Sequence, residues 1–179
     1  MTRTKAHPSA CLAGAAALVL LAGAAAAQTA DSPFGAFRHD AAQPIEITAD
    51  SLAVDQGART AVFTGEVVAG QGTLRLTAAR ITVSYGAEGG AGAGAIDRLR
   101  AEGEVFLSNG TETASGDWAD YDVAGGTVTM GGEVVLTQGE NAIAGQSLTI
   151  DLNAGTGAIS GGRVRSVFTP PPARRGDGG

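Results

Sequence analysis

From Pro44 onward apolar and polar residues alternate with a period of two, the mark of strands with one face toward a core and the other toward water. Ile45 and Ile47 share one face, and Glu46 and Thr48 share the other. Leu52 and Val54 continue the pattern until Gln56-Gly57 interrupts it with a turn. The alternation then recurs in longer units. Gly65-Glu66-Val67 returns as Gly103-Glu104-Val105 and as Gly132-Glu133-Val134. From the second and third copies onward GEVFLSNGTETASGDWADYDV aligns with GEVVLTQGENAIAGQSLTIDL, glycines and apolar positions in step. Such a period predicts an array built by stacking one supersecondary unit.

The stacked units define columns. Leu76, Ala114 and Ile143 occupy one equivalent position, with Ile47 in the same slot of a partial N-terminal repeat. Ile81-Val83-Tyr85, Ala119-Tyr121-Val123 and Leu148-Ile150-Leu152 form a second set, and Phe63, Ala101 and Met130 a third. A degenerate fourth unit starts at Gly162-Arg163-Val164. Segments of about seven residues between Gly, Asn and Asp turns predict roughly sixteen short antiparallel strands and leave no room for an amphipathic helix. The predicted inner face comprises Ile45, Ile47, Leu52, Val54, Phe63 and Val67, then Leu76, Ile81, Val83 and Tyr85. It continues through Val105, Leu107, Tyr121, Val123, Met130, Val134, Leu136, Ile143, Leu148 and Ile150.

Composition sharpens this picture. Leu, Ile, Val and Phe together make 37 of 179 residues, few for a thick core. A thin or hollow two-walled β-structure, its interior only partly filled by its own side chains, is the expectation. Apolar residues at period two are equally consistent with an ordinary dry core.

The ends read differently. Residues 1–27 carry a short basic head, Arg3 and Lys5, then an Ala/Leu/Val/Gly run ending in Ala25-Ala26-Ala27, the pattern of a cleavable signal peptide. The run is short for a membrane anchor, the competing reading. Residues 28–43 read as a flexible leader, 44–169 as the β-domain, and 170–179, rich in proline and glycine, as a disordered tail. Cleavage would remove the single cysteine, Cys11, and with it any thiol chemistry. The formal net charge of −6 argues against nucleic acid as a partner, because such binding needs an excess of positive charge.

Candidate chemistry is sparse. GAEGGAGAGA at 86–95 lacks the glycine spacing, the Lys-Ser/Thr end and the following helix of a phosphate loop, so it reads as a flexible insertion. Asp117, Asp120 and Asp122 around Trp118 fit no calcium-loop spacing, and Asp120 and Asp122 fall on the wet face; no metal site or cofactor is expected. His39 is the only histidine beyond the signal and no base accompanies the serines, so no enzyme is expected. Arg75, Arg98, Arg100, Arg163 and Arg165 alternate with apolar residues and face outward, either as soluble surface or as grips for phosphate or carboxylate groups.

Four phrases, taken in order, resemble a known family. They are Gln43-Pro44-Ile45-Glu46-Ile47 with Ala49-Asp50; Phe63-Thr64-Gly65-Glu66-Val67 with Gln71-Gly72-Thr73; Leu76-Thr77-Ala78-Ala79-Arg80; and Gly162-Arg163-Val164-Arg165-Ser166-Val167-Phe168-Thr169-Pro170. Together they are similar to the OstA-like family of periplasmic lipopolysaccharide-transport domains, over about residues 43–170. The resemblance implies an all-β, twisted, V-shaped β-jellyroll and a non-enzymatic periplasmic function. It implies lipopolysaccharide as ligand, acyl chains inside and sugars outside, so the inner-face residues become the expected groove lining. It also implies head-to-tail self-association and two partners, an inner-membrane-anchored jellyroll protein and an outer-membrane β-barrel translocon. The expected partner edges are Ile45, Glu46, Ile47 and Thr48 at one end and Val164, Arg165, Ser166, Val167 and Phe168 at the other. A self-assembling β-solenoid without lipid cargo is the contrasting expectation.

Overall fold

The structure, a computed structural model, describes Phe37 and residues 43–86 and 94–169. The expected signal segment, most of the expected leader, most of the glycine insertion and the expected tail lie outside the described residues. Among the described residues ten strands form one antiparallel sheet: β1 (Ile45–Thr48), β2 (Ser51–Asp55), β3 (Thr60–Gln71), β4 (Leu74–Tyr85), β5 (Ile96–Ser108), β6 (Glu112–Asp122), β7 (Thr127–Gln138), β8 (Asn141–Asp151), β9 (Thr156–Ser160) and β10 (Arg165–Val167). Each strand from β3 to β8 pairs with its successor; β1 and β2 both pair with β3, and β9 and β10 both pair with β8.

Ten strands replace the sixteen expected because the repeated Gly-Glu is a corner, not a turn. Gly65 and Glu66 both have positive φ, 85° and 40°, and so do Gly103 and Glu104, at 80° and 47°. The β3–β4 register jumps there, from Thr64↔Arg80 to Val67↔Ala78, so two residues of β3 oppose one of β4. The same bulge recurs at Gly103-Glu104 against Asp117 and at Gly132-Glu133 against Gln146. A bulge of this kind bends its strand without ending it. The six strands β3–β8 therefore each carry two straight halves, while β1/β2 and β9/β10 are interrupted at the same line. The straight segments number sixteen; the chain joins twelve of them pairwise through corners.

The corner also explains why glycine stands there. A Cβ on Gly65 would run into Asp50, one on Gly132 into Asp117, and one on Gly103 would sit 3.0 Å from the Ala79 methyl. Left-handed backbone conformation adds a second reason at each position. On β3, β5 and β7 the two-residue corner preserves side-chain parity, so Phe63 and Val67 share the inner side. On β4, β6 and β8 the one-residue corner shifts it, from Leu76 and Ala78 to Ile81 and Val83.

Folded along this seam, the sheet presents two walls whose inner faces make one hydrophobic cluster. Val67, Val105 and Val134 have no exposed surface, each contributing about 1.5–3 kcal/mol by burial. Glu66, Glu104 and Glu133 remain exposed on the outside of the corner. Phe37, from the expected leader, is also fully buried in the cluster.

Asx turns close the hairpins at one end. Asp55, Asp122 and Asp151 accept backbone N–H bonds from Ala58 (2.9 Å), Gly125 (2.8 Å) and both Asn153 and Ala154 (2.9 and 2.8 Å). The base of the glycine insertion is tied by Gly86 N–H to the Ala95 carbonyl at 2.9 Å.

Candidate functional site

Cross-strand register turns the predicted columns into continuous rows. One runs Leu52–Phe63–Ile81–Ala101–Ala119–Met130–Leu148–Ile159, from β2 to β9. Beside it lies Val54–Ala61–Val83–Leu99–Tyr121–Val128–Ile150. On the opposite wall the corresponding row is Ile47–Ala69–Leu76–Leu107–Ala114–Leu136–Ile143. Alternation alone identified most of these positions. Leu74, Leu99 and Val128 also belong to the inner face; they sit at inward parity, a signal present in the sequence although they stood outside the expected lining.

The centre of the inner face is packed and its margins are open. Ile81, Val83, Leu107, Met130, Leu136, Leu148 and Ile150 are buried, as are Leu76 and Tyr121, while Ile45, Ile47, Phe63, Tyr85, Val123 and Ile143 are half-buried. Leu52 and Val54, on the β2 edge, are 56% and 64% exposed although they continue the inner rows. The apolar void between the walls is about 20 Å³, room for about one water. At its centre the interior is thus packed rather than hollow, whereas a cavity lined by Ile47, Leu52 and Phe63 among others opens at the β1–β2 margin. Small residues on the inner face (Ala69, Ala101, Ala114, Ala119) let the walls approach, so few large side chains suffice to fill the space.

Polar side chains are also buried among the described residues. The Tyr121 hydroxyl donates to Gln71 Oε1 at 3.0 Å, and Gln71 Nε2 donates to the Gln43 carbonyl at 2.9 Å. Burial, and to a lesser degree the charge of Asp122, pushes the Tyr121 hydroxyl up to about 12. At the β5–β6 hairpin, buried Glu112 accepts from Gln138 Nε2 at 2.8 Å and from Asn109 Nδ2 at 3.1 Å. Burial raises its carboxyl, and these two bonds pull it partly back. Composition gives no sign that Gln71 and Glu112 are buried; inward parity after Ala69 and before Ala114 does.

The outer face separates the other candidates. Arg98 and Arg100 grip Asp120 at 3.2 and 2.7 Å, and the Arg100 guanidinium lies 4.4 Å from the Trp118 ring centre, so these two arginines are engaged within the sheet. Trp118 in turn covers Gly131, where any Cβ would enter its ring. Arg75, Arg163 and Arg165 are exposed. Asp117, Asp120 and Asp122 have separate tasks at the corner, the arginine pair and a turn, and among the described residues no acidic or histidine group has metal-binding geometry. The expected edge residues lie at the sheet margins: Ile45–Thr48 forms β1, Arg165–Val167 forms β10, and Val164 and Phe168 flank β10 as exposed residues.

Comparison with known proteins agrees with this architecture. The crystal structure of LptH, the LptA homologous periplasmic component of the lipopolysaccharide transport device of Pseudomonas aeruginosa, superposes with a TM-score of 0.63 at 21% identity, covering 72% of this chain and 96% of that one. An uncharacterised protein of Rhizobium meliloti (strain 1021) is 36% identical over 157 residues, 84% of each chain. The LPS-assembly protein LptD of Neisseria meningitidis serogroup A is 39% identical over 69 residues, which are 38% of this chain but only 9% of LptD. The family model described as LptA/(LptD N-terminal domain) LPS transport protein matches residues 46–156. The chain belongs to this family of OstA-like lipopolysaccharide-transport proteins.

Proposed function

We propose that the protein is a non-enzymatic periplasmic carrier that passes lipopolysaccharide from the inner toward the outer membrane, holding acyl chains between its walls and leaving the sugars in water. The observation that carries this reading is the apolar inner face running out past the packed centre to exposed Leu52 and Val54 on one edge and half-buried Ile159 on the other. A second jellyroll added edge to edge would continue those rows past β2 or β9, and the row of the opposite wall past β1 or β10, by strand augmentation. Another copy, an inner-membrane-anchored jellyroll protein and the jellyroll part of an outer-membrane translocon are the partners this geometry suits. Burying each methylene of an acyl chain would contribute about 0.8 kcal/mol.

The packed centre of the interior favours a second reading, a self-assembling structural β-solenoid with a dry core. A photo-crosslinking amino acid at half-buried Ile47 or Phe63, in cells making lipopolysaccharide, distinguishes the two. Capture of lipopolysaccharide at both positions and not at outward-facing Asp120 is the expected result. Equal capture at all three, or none at any, would count against the groove.

A further inference from the structure

Large apolar side chains also stand on the outer face of the wall that contains β1 and β10. Val68, Phe106 and Val135 are 39%, 49% and 36% exposed, and each directly follows the buried valine of one Gly-Glu-Val copy. The register sets them in a single row, Val68–Thr77–Phe106–Ser115–Val135, that runs across the strands from β3 to β7. Scattered apolar residues are ordinary on any surface, but the same position filled in all three repeats makes a ridged strip. Its valleys are floored by the half-buried hydroxyl residues Thr77 and Ser115. One row nearer the corner, two residues before each ridge, stand exposed Glu66, Glu104 and Glu133, and none of them forms an ion pair among the described residues. Glu66 and Glu104 hold left-handed backbone, with φ of 40° and 47°, where glycine or asparagine would cost less. The bend therefore does not account for the carboxylates.

The spacing of the ridges decides what backbone can follow them. They lie two strands apart, about 9.5 Å. An extended strand returns to one face about every 6.7 Å and falls out of step at once. An α-helix needs seven residues and about 10.5 Å, and its width keeps it on top of the ridges, away from the hydroxyls. A polyproline II segment is thin and returns to one face every three residues, about 9.3 Å. We propose that this strip docks a proline-rich, arginine-bearing segment of a partner protein, laid across the strands in polyproline II form. Proline rings then fill the valleys beside Phe106. The segment's carbonyls, which have no bonds within polyproline II, accept from Thr77 and Ser115. An arginine in each turn reaches toward the row of glutamates, so the charges are complementary along the whole strip. Little ordering cost accompanies such binding, because the segment is extended before it docks. The strip faces away from the interior and does not depend on whether lipid is held there.

The test uses the purified exported protein and a fluorescein-labelled peptide of repeated Pro-Arg-Pro units, followed by fluorescence anisotropy. A control peptide has the same composition with its arginines gathered at one end. The repeating peptide should bind on the order of tenfold more tightly than the control, because only its charges keep step with the glutamates. Phe106→Ser should weaken it by about tenfold. Glu66→Gln/Glu104→Gln/Glu133→Gln should abolish the loss of affinity seen between about 20 and about 200 mM sodium chloride. Circular dichroism checks that both variants retain their strands. No binding, equal affinity for the two peptides, or undiminished binding to Phe106→Ser overturns the proposal. Tighter binding after removal of residues 170–179, which include Pro-Pro-Pro-Ala-Arg-Arg, would give the strip to the chain's own segment and overturn an external partner. Dimers of the wild type that Phe106→Ser dissolves would give it to a second copy, with the same consequence.

Discussion

Glu112 has no exposed surface, yet it lies at the end of a strand whose other inward residues are Ala114, Ala119 and Tyr121. Its carboxylate survives there because Asn109 and Gln138 donate to its two oxygens, while Asn109 Oδ1 holds the backbone N–H groups of Thr111 and Glu112, both at 2.8 Å. Desolvation still outweighs the two bonds, so the carboxyl titrates above its ordinary value of 4.5. An acid whose folded pKa is raised contributes stability that is fully present below the unfolded pKa and is lost as pH rises through the folded one. Glu112→Gln removes that titration, and the Gln138 amide can turn to present its oxygen. The urea midpoint of the variant minus that of the wild type should therefore grow between pH 4 and pH 7. A difference that stays flat across that window would show that Glu112 does not titrate abnormally. Nothing in the local residues marks this glutamate, since a carboxylate on a strand is wet by default; only its parity does.

Long strands bent at fixed corners are the working element of the fold. The sequence made the inner rows legible because period-two alternation survives any error in where a strand ends. It made the Gly-Glu-Val repeat legible as a unit but not as a corner. A glycine between two alternating segments announces a turn and a bulge with equal strength, and only the partner strand decides which forms. The packed centre of the interior was not legible either, because apolar counts measure side-chain bulk and not how closely two walls of small residues approach. At the margins the elements shorten: β10 has three residues and β1 four, each paired on one side only. If these edges recruit a neighbouring jellyroll, Val167→Pro removes an N–H and stiffens the backbone where augmentation would occur. Association of copies, followed by sedimentation velocity, should be lost. The thermal midpoint of the monomer should move by only about a degree or two, because β10 is short and peripheral. Undiminished association would assign the contact to another surface.

At the scale of the whole molecule, charge and groove pull in opposite directions. The chain carries a formal charge of −6, and among its acidic residues Asp50, Glu66, Glu104, Asp117 and Glu133 lie along the corner seam. Two of the arginines that could have met phosphate, Arg98 and Arg100, already hold Asp120. An anionic amphiphile should then be retained by its acyl chains against a net electrostatic repulsion, and the two contributions respond differently to salt. Apolar burial is indifferent to modest ionic strength, whereas repulsion between surface charges is screened over a Debye length of about 10 Å at 0.1 M. Raising sodium chloride from about 20 to about 200 mM should therefore tighten binding of lipopolysaccharide, measured at constant lipid in the monomeric dispersed range. Arginine-dominated capture of the head group would do the reverse, loosening as salt rises. In that case Arg75, Arg163 and Arg165, exposed on the sheet, would be the residues to substitute first.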